Sequence, residues 1–338
     1  MRVVTFGELL MRLSPFGQAR LLQAEALRAH FGGAEANVAV SLAQFGVEAT
    51  LVSRLPQHAL GQAALNALRR YGVDVRYVAR GDERLGLYFL EPGAHGRPAQ
   101  VLYDRADSAF AHAQRADFDW LAILAGADWF HLSGITPALG GTLPDICADA
   151  LAACHALGVR VSLDLNYRAA LWSRDTAFAV LTPLLPFVDV LIANVEHAKE
   201  VLSITVGETE LSGGEINRAR VQTLAQTLAE RYAFSAVALM QRNTHSASSG
   251  SIGAMLWADD TAHFSRTYTM QIVDRVGSGD AFAAGLIYAT LGGQSPQERV
   301  DFALAAACLA HGIEGDFNLV SAAEVQRLLD CGTEDVRR

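Results

Sequence analysis

The pattern that most restricts this chain is an alternation. Short β-like runs, DWFHLSG (128–134), VRVSLDLN (159–166), DVLIAN (189–194) and SAVALM (235–240), alternate with alanine- and leucine-rich stretches such as LPDICADALAACHALG (143–158). A βαβα rhythm builds a mostly parallel sheet with helices on its faces. The apolar bodies of the runs suit burial on both sides of such a sheet. The runs also end in polar residues: His131 and Ser133, then Asp164, Asn166 and Arg168, then Asn194 and Glu196. Ligands of open α/β sheets bind outside the carboxyl ends of the strands, so candidate functional groups collect along one edge.

Two stretches break the rhythm. RLGLYFLEPGAHGRPAQVLYD (84–104) places two β-rich runs around a Gly/Pro cluster, the signature of a hairpin. A second β-like excursion is expected in residues 9–30. Together, about 9–30 and 84–106 would form a small β lid over the site. Residues 203–217 and 241–250 read as polar Gly/Ser/Thr-rich loops. No repeat or linker divides the chain, so a single domain is expected over 1–338.

Charge narrows the function classes. The formal net charge is −9, which argues against general nucleic-acid or anionic-membrane binding and means that any bound anion needs a local cradle. The N-terminus reads as a first strand with no apolar segment of a secretion signal, and no run is long enough to span a bilayer. Cys147, Cys154, Cys308 and Cys331 lack CxxC spacing and read as buried free thiols. A soluble, cytoplasmic protein is expected.

The most informative stretch is QIVDRVGSGDAFAAG (271–285), where a strand passes into a helix. Gly277, Ser278 and Gly279 allow successive backbone N–H groups to curl around an anion at a helix N-terminus, a phosphate cradle. A Walker A loop is excluded because no Gly-Lys-Ser/Thr occurs. The dinucleotide fingerprint, and with it a nicotinamide oxidoreductase, is disfavoured because Phe282 stands where a third glycine belongs. Asp280 admits two readings, a helix N-cap or a base that takes a proton from an attacking hydroxyl beside the anion site. Asp274 reads as structural.

DRVGSGDAF resembles the C-terminal signature of the PfkB, or ribokinase-like, carbohydrate kinases, and FGGAEANVAVSLAQFG (31–46) resembles their N-terminal Gly-Gly signature. The two lie more than 230 positions apart in the expected order. Within that family, GELLMRLSP (7–15), FHLSGITPALG (130–140), LDLNYRAALW (163–172) and GDFNLVS (315–321) look like 2-keto-3-deoxygluconate kinases. The resemblance implies a ribokinase-like, Rossmann-type three-layer fold with a β lid often used in dimerisation. It also implies ATP- and Mg²⁺-dependent phosphorylation of the sugar acid's terminal hydroxyl.

Residue by residue, the resemblance makes Asp280 the base and Gly277, Ser278 and Gly279 the phosphate turn. Gly33, Asn37, Tyr88, Tyr103, Arg105 and Arg168 would contact the sugar, and Asn194 and Glu196 would be linked to Mg²⁺. Arginine forks also suit a substrate carboxylate. The structural alternatives are surface ion pairs for the arginines, lid packing for the tyrosines and a local cap for Asn37. His311 reads either as an adenine contact or as a helix-end cap. Three positions depart from the family pattern: Ser278 replaces alanine, Asp104 stands inside the lid's Tyr-Tyr-Arg, and His197 occupies the glutamate of Asn-x-x-Glu. The competing functions are a kinase for a neutral sugar such as fructose or ribose, or a catalytically silent binding protein of the same fold.

Overall fold

A computed structural model of the chain describes residues 1–204 and 218–331. Most of the stretch expected to form the polar loop at 203–217 therefore lies outside the described residues. The chain opens with β1 (Arg2–Phe6), β2 (Leu10–Pro15), β3 (Leu27–Gly32), α1 (Ala34–Gln44), β4 (Glu48–Pro56), α2 (Ala59–Arg70) and β5 (Val78–Gly81). Next come β6 (Leu87–Glu91), β7 (Gln100–Asp104), α3 (Trp120–Leu124), β8 (Trp129–Ser133), α4 (Ile135–Ala138), α5 (Leu143–Leu157) and β9 (Arg160–Asp164). The middle holds α6 (Arg174–Leu181), β10 (Val190–Asn194), α7 (Val195–Val201) and α8 (Arg218–Tyr232). It closes with β11 (Ala236–Ser246), β12 (Ser249–Ala258), β13 (Thr261–Phe264), β14 (Tyr268–Gln271), α9 (Ser278–Leu291), α10 (Pro296–Ala310) and α11 (Ala322–Cys331).

The large sheet runs β13-β12-β11-β10-β9-β8-β1-β4-β5, with β14 beside β12. Every pairing from β5 to β11 is parallel, and the last strands add in antiparallel fashion. Alternate residues of one strand feed two separate cores. Val4 and Phe6 of β1 pack with α3 and α5, while Val3 packs with α1, α9 and α10 on the other face. Two cores around one sheet make the expected three layers. Alanines dominate the α9–α10 contact: Ala303, Ala305, Ala306 and Ala307 are fully buried, so the two helices approach closely. Helix α10 starts as its sequence directs, with Ser295 and Glu298 forming a reciprocal capping box and Pro296 in the first turn.

The two stretches expected to form a lid make a separate four-stranded sheet in the order β3-β2-β6-β7, called the lid sheet below. Residues 241–250 are not a loop. β11 and β12 pair from Ala236 to Ser246, and only Ala247 and Ser248 lie between them. From Met240 onward no residue of β11 is fully buried, which removes the need for apolar alternation and hides the strand in the sequence. Cys147 and Cys154 are buried free thiols as expected, and Cys308 is half-buried. Among the described residues no helix is long and apolar enough to cross a membrane.

Candidate active site

A cleft of about 380 Å³ lies between the carboxyl ends of β9 and β10, the start of α9 and the lid. Asp164, Arg168, His197, Tyr103, Asp280 and Gly277 are among its walls. A larger cavity of about 1120 Å³ adjoins it at Arg275 and Val276, between the β6–β7 turn and the tip of the β11–β12 hairpin.

The turn into α9 has the backbone that the glycines suggest. Gly277 is the N-cap, in the left-handed region at φ 80°. A Cβ there would sit 2.1 Å from the backbone carbonyl oxygen of Asp316. Strain and clash act together, so Gly277→Ala is expected to destabilise the protein by about 2–3 kcal/mol, read as a lowered urea midpoint. At Gly279 an added Cβ would meet only Met240 Cε, at 3.8 Å, so the mouth of the turn is open. Arg242 donates to Ser278 Oγ (2.6 Å), while its buried Nε has no hydrogen-bond partner among the described residues. Burial lowers its pKa, and Arg275 and Arg168 add to the effect. A partly unpaired guanidinium at a helix N-terminus suits phosphate oxygens.

Asp280 is not the N-cap. It is the third residue of α9, and its carboxylate accepts a hydrogen bond from Asn37 Nδ2 (2.7 Å). Asn37 is itself oriented by the Gly33 N–H, which donates to its Oδ1 (3.2 Å). The two distant glycine motifs thus meet at this carboxylate. Burial pushes the Asp280 carboxyl up to about 7; the Asn37 hydrogen bond opposes the rise, and Asp164 adds to it. Asp164 is likewise raised to about 7 by burial. Glu35, fully buried, has its pKa raised by desolvation although it accepts from Ser133 N (2.8 Å), Ser133 Oγ (2.6 Å) and Thr136 Oγ1 (3.1 Å).

The other expected site residues divide. Arg168 is exposed at the cleft wall and makes no ion pair among the described residues. Arg105 also lines the cleft, but its Nε donates to Glu8 Oε2 (2.9 Å) and its Nη2 contacts the same oxygen, so much of its fork is already committed. Tyr88 is buried and spends its hydroxyl on Asp316, so it offers the cleft a ring rather than a donor. Tyr103 is 44% exposed, beside the Tyr88 ring. Gly33 makes room for the chain's own backbone: a Cβ would lie 1.9 Å from the Glu8 carbonyl oxygen. Asn37 likewise holds Asp280 as well as lining the cleft.

The proposed metal pair separates. Asn194 caps α7 by accepting from Glu196 N (2.9 Å), and Glu196 is exposed and away from the cleft, whereas His197 lines it. Among the described residues no group of three or more His, Cys, Asp or Glu is arranged to hold a metal ion. Asp104, the departure in the lid, is gripped by Arg84 through two bonds of 2.6 and 2.7 Å, which offsets its charge. His311 is the C-cap of α10 and bonds Ala307 O (2.7 Å); burial takes its pKa down to about 4.

Sequence reasoning passed over Arg12, Asp316, Glu8, Glu35 and Arg242. Arg12 is 3% exposed and bridges Asp274 and Asp316. A cation in the middle of a strand was the available signal, but its partners are 262 and 304 positions away.

Such a cleft is suited to phosphoryl transfer onto a small hydroxyl compound under a cover that keeps water out. Comparison with known proteins agrees. Residues 1–320 match the pfkB family of carbohydrate kinases, and the chain belongs to that family. It is 34% identical to the 2-dehydro-3-deoxygalactonokinase of Haloferax volcanii over 336 residues, covering 99% of each chain. It is 27% identical to the 2-dehydro-3-deoxygluconokinase of Thermoproteus tenax, covering 97% of this chain and 94% of that one. The crystal structure of 2-dehydro-3-deoxygluconokinase from Thermotoga maritima matches with a TM-score of 0.93 and 47% identity, covering 97% of this chain and 98% of that one. The protein is therefore a sugar kinase, a phosphotransferase with an alcohol as acceptor.

Proposed function

We propose that the protein phosphorylates the terminal hydroxyl of a 2-keto-3-deoxy sugar acid with ATP, 2-keto-3-deoxygluconate (2-dehydro-3-deoxygluconate) being the first candidate. The observation that carries the reading is Asp280 held by Asn37 at the start of α9, directly beside an open glycine turn. The names of the relatives supply the sugar-acid class, and Arg168 supports it as a cation at the cleft wall without a carboxylate partner among the described residues.

In this reading Asp280 accepts the proton of the attacking hydroxyl, and Asn37 fixes which carboxylate oxygen remains free for it. The turn at Gly277, Ser278 and Gly279, with Arg242, holds the phosphoryl oxygens through N–H donors already in place. The open face at Gly279 and the Arg242 Nε, which has no hydrogen-bond partner among the described residues, fit a nucleotide's phosphates. Mg²⁺ carried on those phosphates would neutralise part of their charge while keeping several of its waters. Asp164 and Asn194, which line the cleft, would be the residues to hold it. Lid residues Tyr88 and Tyr103 would cover the sugar and exclude competing water. We also assign the exposed apolar residues Val101, Leu102 and Tyr103 of β7 to a lid-mediated dimer, testable by light scattering.

The reading is tested by ADP release from Mg-ATP over 2-keto-3-deoxygluconate, 2-keto-3-deoxygalactonate, D-fructose, D-ribose and no sugar. Turnover confined to the keto acids supports it; turnover on a neutral sugar overturns the substrate class, and silence across the panel overturns the kinase mechanism. Arg168→Gln is expected to lower kcat/KM for the acid about 10- to 100-fold, the value of a charge-assisted hydrogen bond, and to spare any activity on D-fructose. The pH profile follows from Asp280. Its active form is ionised and its carboxyl sits at about 7, so kcat/KM should rise through pH 7 to a plateau and fall about tenfold per unit below it. A flat profile from pH 5.5 to 8 would contradict the assignment.

A further inference from the structure

The lid and the phosphate turn are joined by a buried polar knot. Arg12 lies in the lid strand β2, 3% exposed. One arm of its guanidinium pairs with Asp274, in the segment that leads into α9, and the other donates to Asp316 Oδ1 (3.1 Å) in the loop after α10. Its Nε donates to Ser14 Oγ (3.0 Å), so all three donor directions are engaged.

Both carboxylates are built into the turn. Asp274 accepts from Val276 N (3.1 Å) and Gly315 N (3.1 Å), which fixes the backbone on either side of the cradle. Asp316 presses its carbonyl oxygen against Gly277, where a Cβ would come within 2.1 Å, and its side chain against Gly32, where a Cβ would come within 2.2 Å. A second lid strand reaches the same aspartate: Tyr88 of β6 donates its hydroxyl to Asp316 while its ring faces the cleft. A third tie, Arg28 of β3 to Glu314, lies at the exposed margin. Among the described residues, no lid side chain bonds Asp280 itself; its carboxylate accepts from Asn37 of α1.

Resting on the kinase reading above, we propose that Arg12 is a positioning residue that couples the sugar lid to the phosphate turn, so that occupancy of either registers at the other. Two carboxylates at an angle require a planar fork with several donors; a lysine in the same place satisfies one and leaves the other short. Phosphates that settle in the Gly277 turn act on Asp316 and Asp274, and through Arg12 and Tyr88 on β2 and β6. By linkage, sugar under β6 must then alter nucleotide affinity by the same factor.

The test is amide hydrogen exchange in the whole protein, with and without saturating Mg²⁺ and a non-hydrolysable ATP analogue, for wild type and Arg12→Lys. In wild type the nucleotide is expected to slow exchange in β2 and β6 at least about fivefold, the lower end of ordinary allosteric coupling. In Arg12→Lys the slowing should persist at 274–281 and vanish from the lid strands. Lid protection equal in both proteins, or absent from wild type, overturns the proposal. Steady-state kinetics add a second readout: Arg12→Lys should raise the sugar KM and lower kcat, and Arg12→Gln should not rescue either. The exchange arm needs no sugar, so a silent substrate panel would refute the proposed function without touching this result. A folded Arg12→Lys enzyme with wild-type kinetics and lid protection would reduce Arg12 to a structural ion pair.

Discussion

Asp280→Asn is expected to lower kcat by about 10²–10⁴-fold, the usual contribution of a positioned base. The asparagine keeps the shape of the site and still accepts from Asn37 Nδ2, so nucleotide and sugar affinities should change little. The loss should appear in single-turnover rates. The same variant carries a stability signature. The wild-type carboxyl titrates at about 7 when folded, above its unfolded value near 3.9. The folded state therefore binds the extra proton between those values, and ionising Asp280 makes the protein less stable as pH rises through that window. Asp280→Asn should consequently melt like wild type at pH 4 and above it from pH 7 upward, by roughly 1–3 kcal/mol. A variant that is inactive but also less stable at pH 8 would point to a structural role for the carboxylate.

Arg12→Met carries the largest expected effect on folding. Removing one partner of a buried ion pair typically costs about 3–5 kcal/mol, because the remaining charge is stranded. Here two carboxylates are stranded, Asp274 and Asp316, the second already pushed up to about 6 by burial despite its arginine. Without Arg12 the Asp316 carboxyl loses the charge that holds its pKa down and should take up a proton, so the loss of stability should shrink as pH is lowered toward 5. Adding Asp274→Asn and Asp316→Asn to Arg12→Met should recover much of it. Urea denaturation of the single and triple variants at pH 5 and 8 checks both statements. Equal loss at both pH values would show that packing, rather than charge, dominates.

What could be read in the sequence was what repeats locally. The strand-helix alternation, the lid hairpin, the capping box at Ser295 and the turn at Gly277 depend on neighbours a few residues away, and all are present. What could not be read depends on partners that only the fold brings near. Arg105 carries a free-looking charge in the sequence, but Glu8, 97 positions earlier, holds it. The 241–250 stretch lacks apolar alternation because β11 is only partly buried from Met240 onward. Glu196 stood in for a missing family glutamate, yet a one-residue shift on a helix turns a side chain about a quarter of the way around, and it faces solvent.

The meeting of Gly33, Asn37 and Arg12 with Asp280 and Asp316 also sets a schedule. Asn37 waits 243 residues for its carboxylate and Arg12 waits 304. At ordinary synthesis rates that is roughly 10–60 s during which the first third of the chain exists without its partners. Strand β1, which lies between β4 and β8, can pair on both sides long before then. A nascent chain should therefore hold one formed flank of the sheet and an unfinished cleft. Phosphoryl transfer should switch on only when the loop after α10 has left the ribosome.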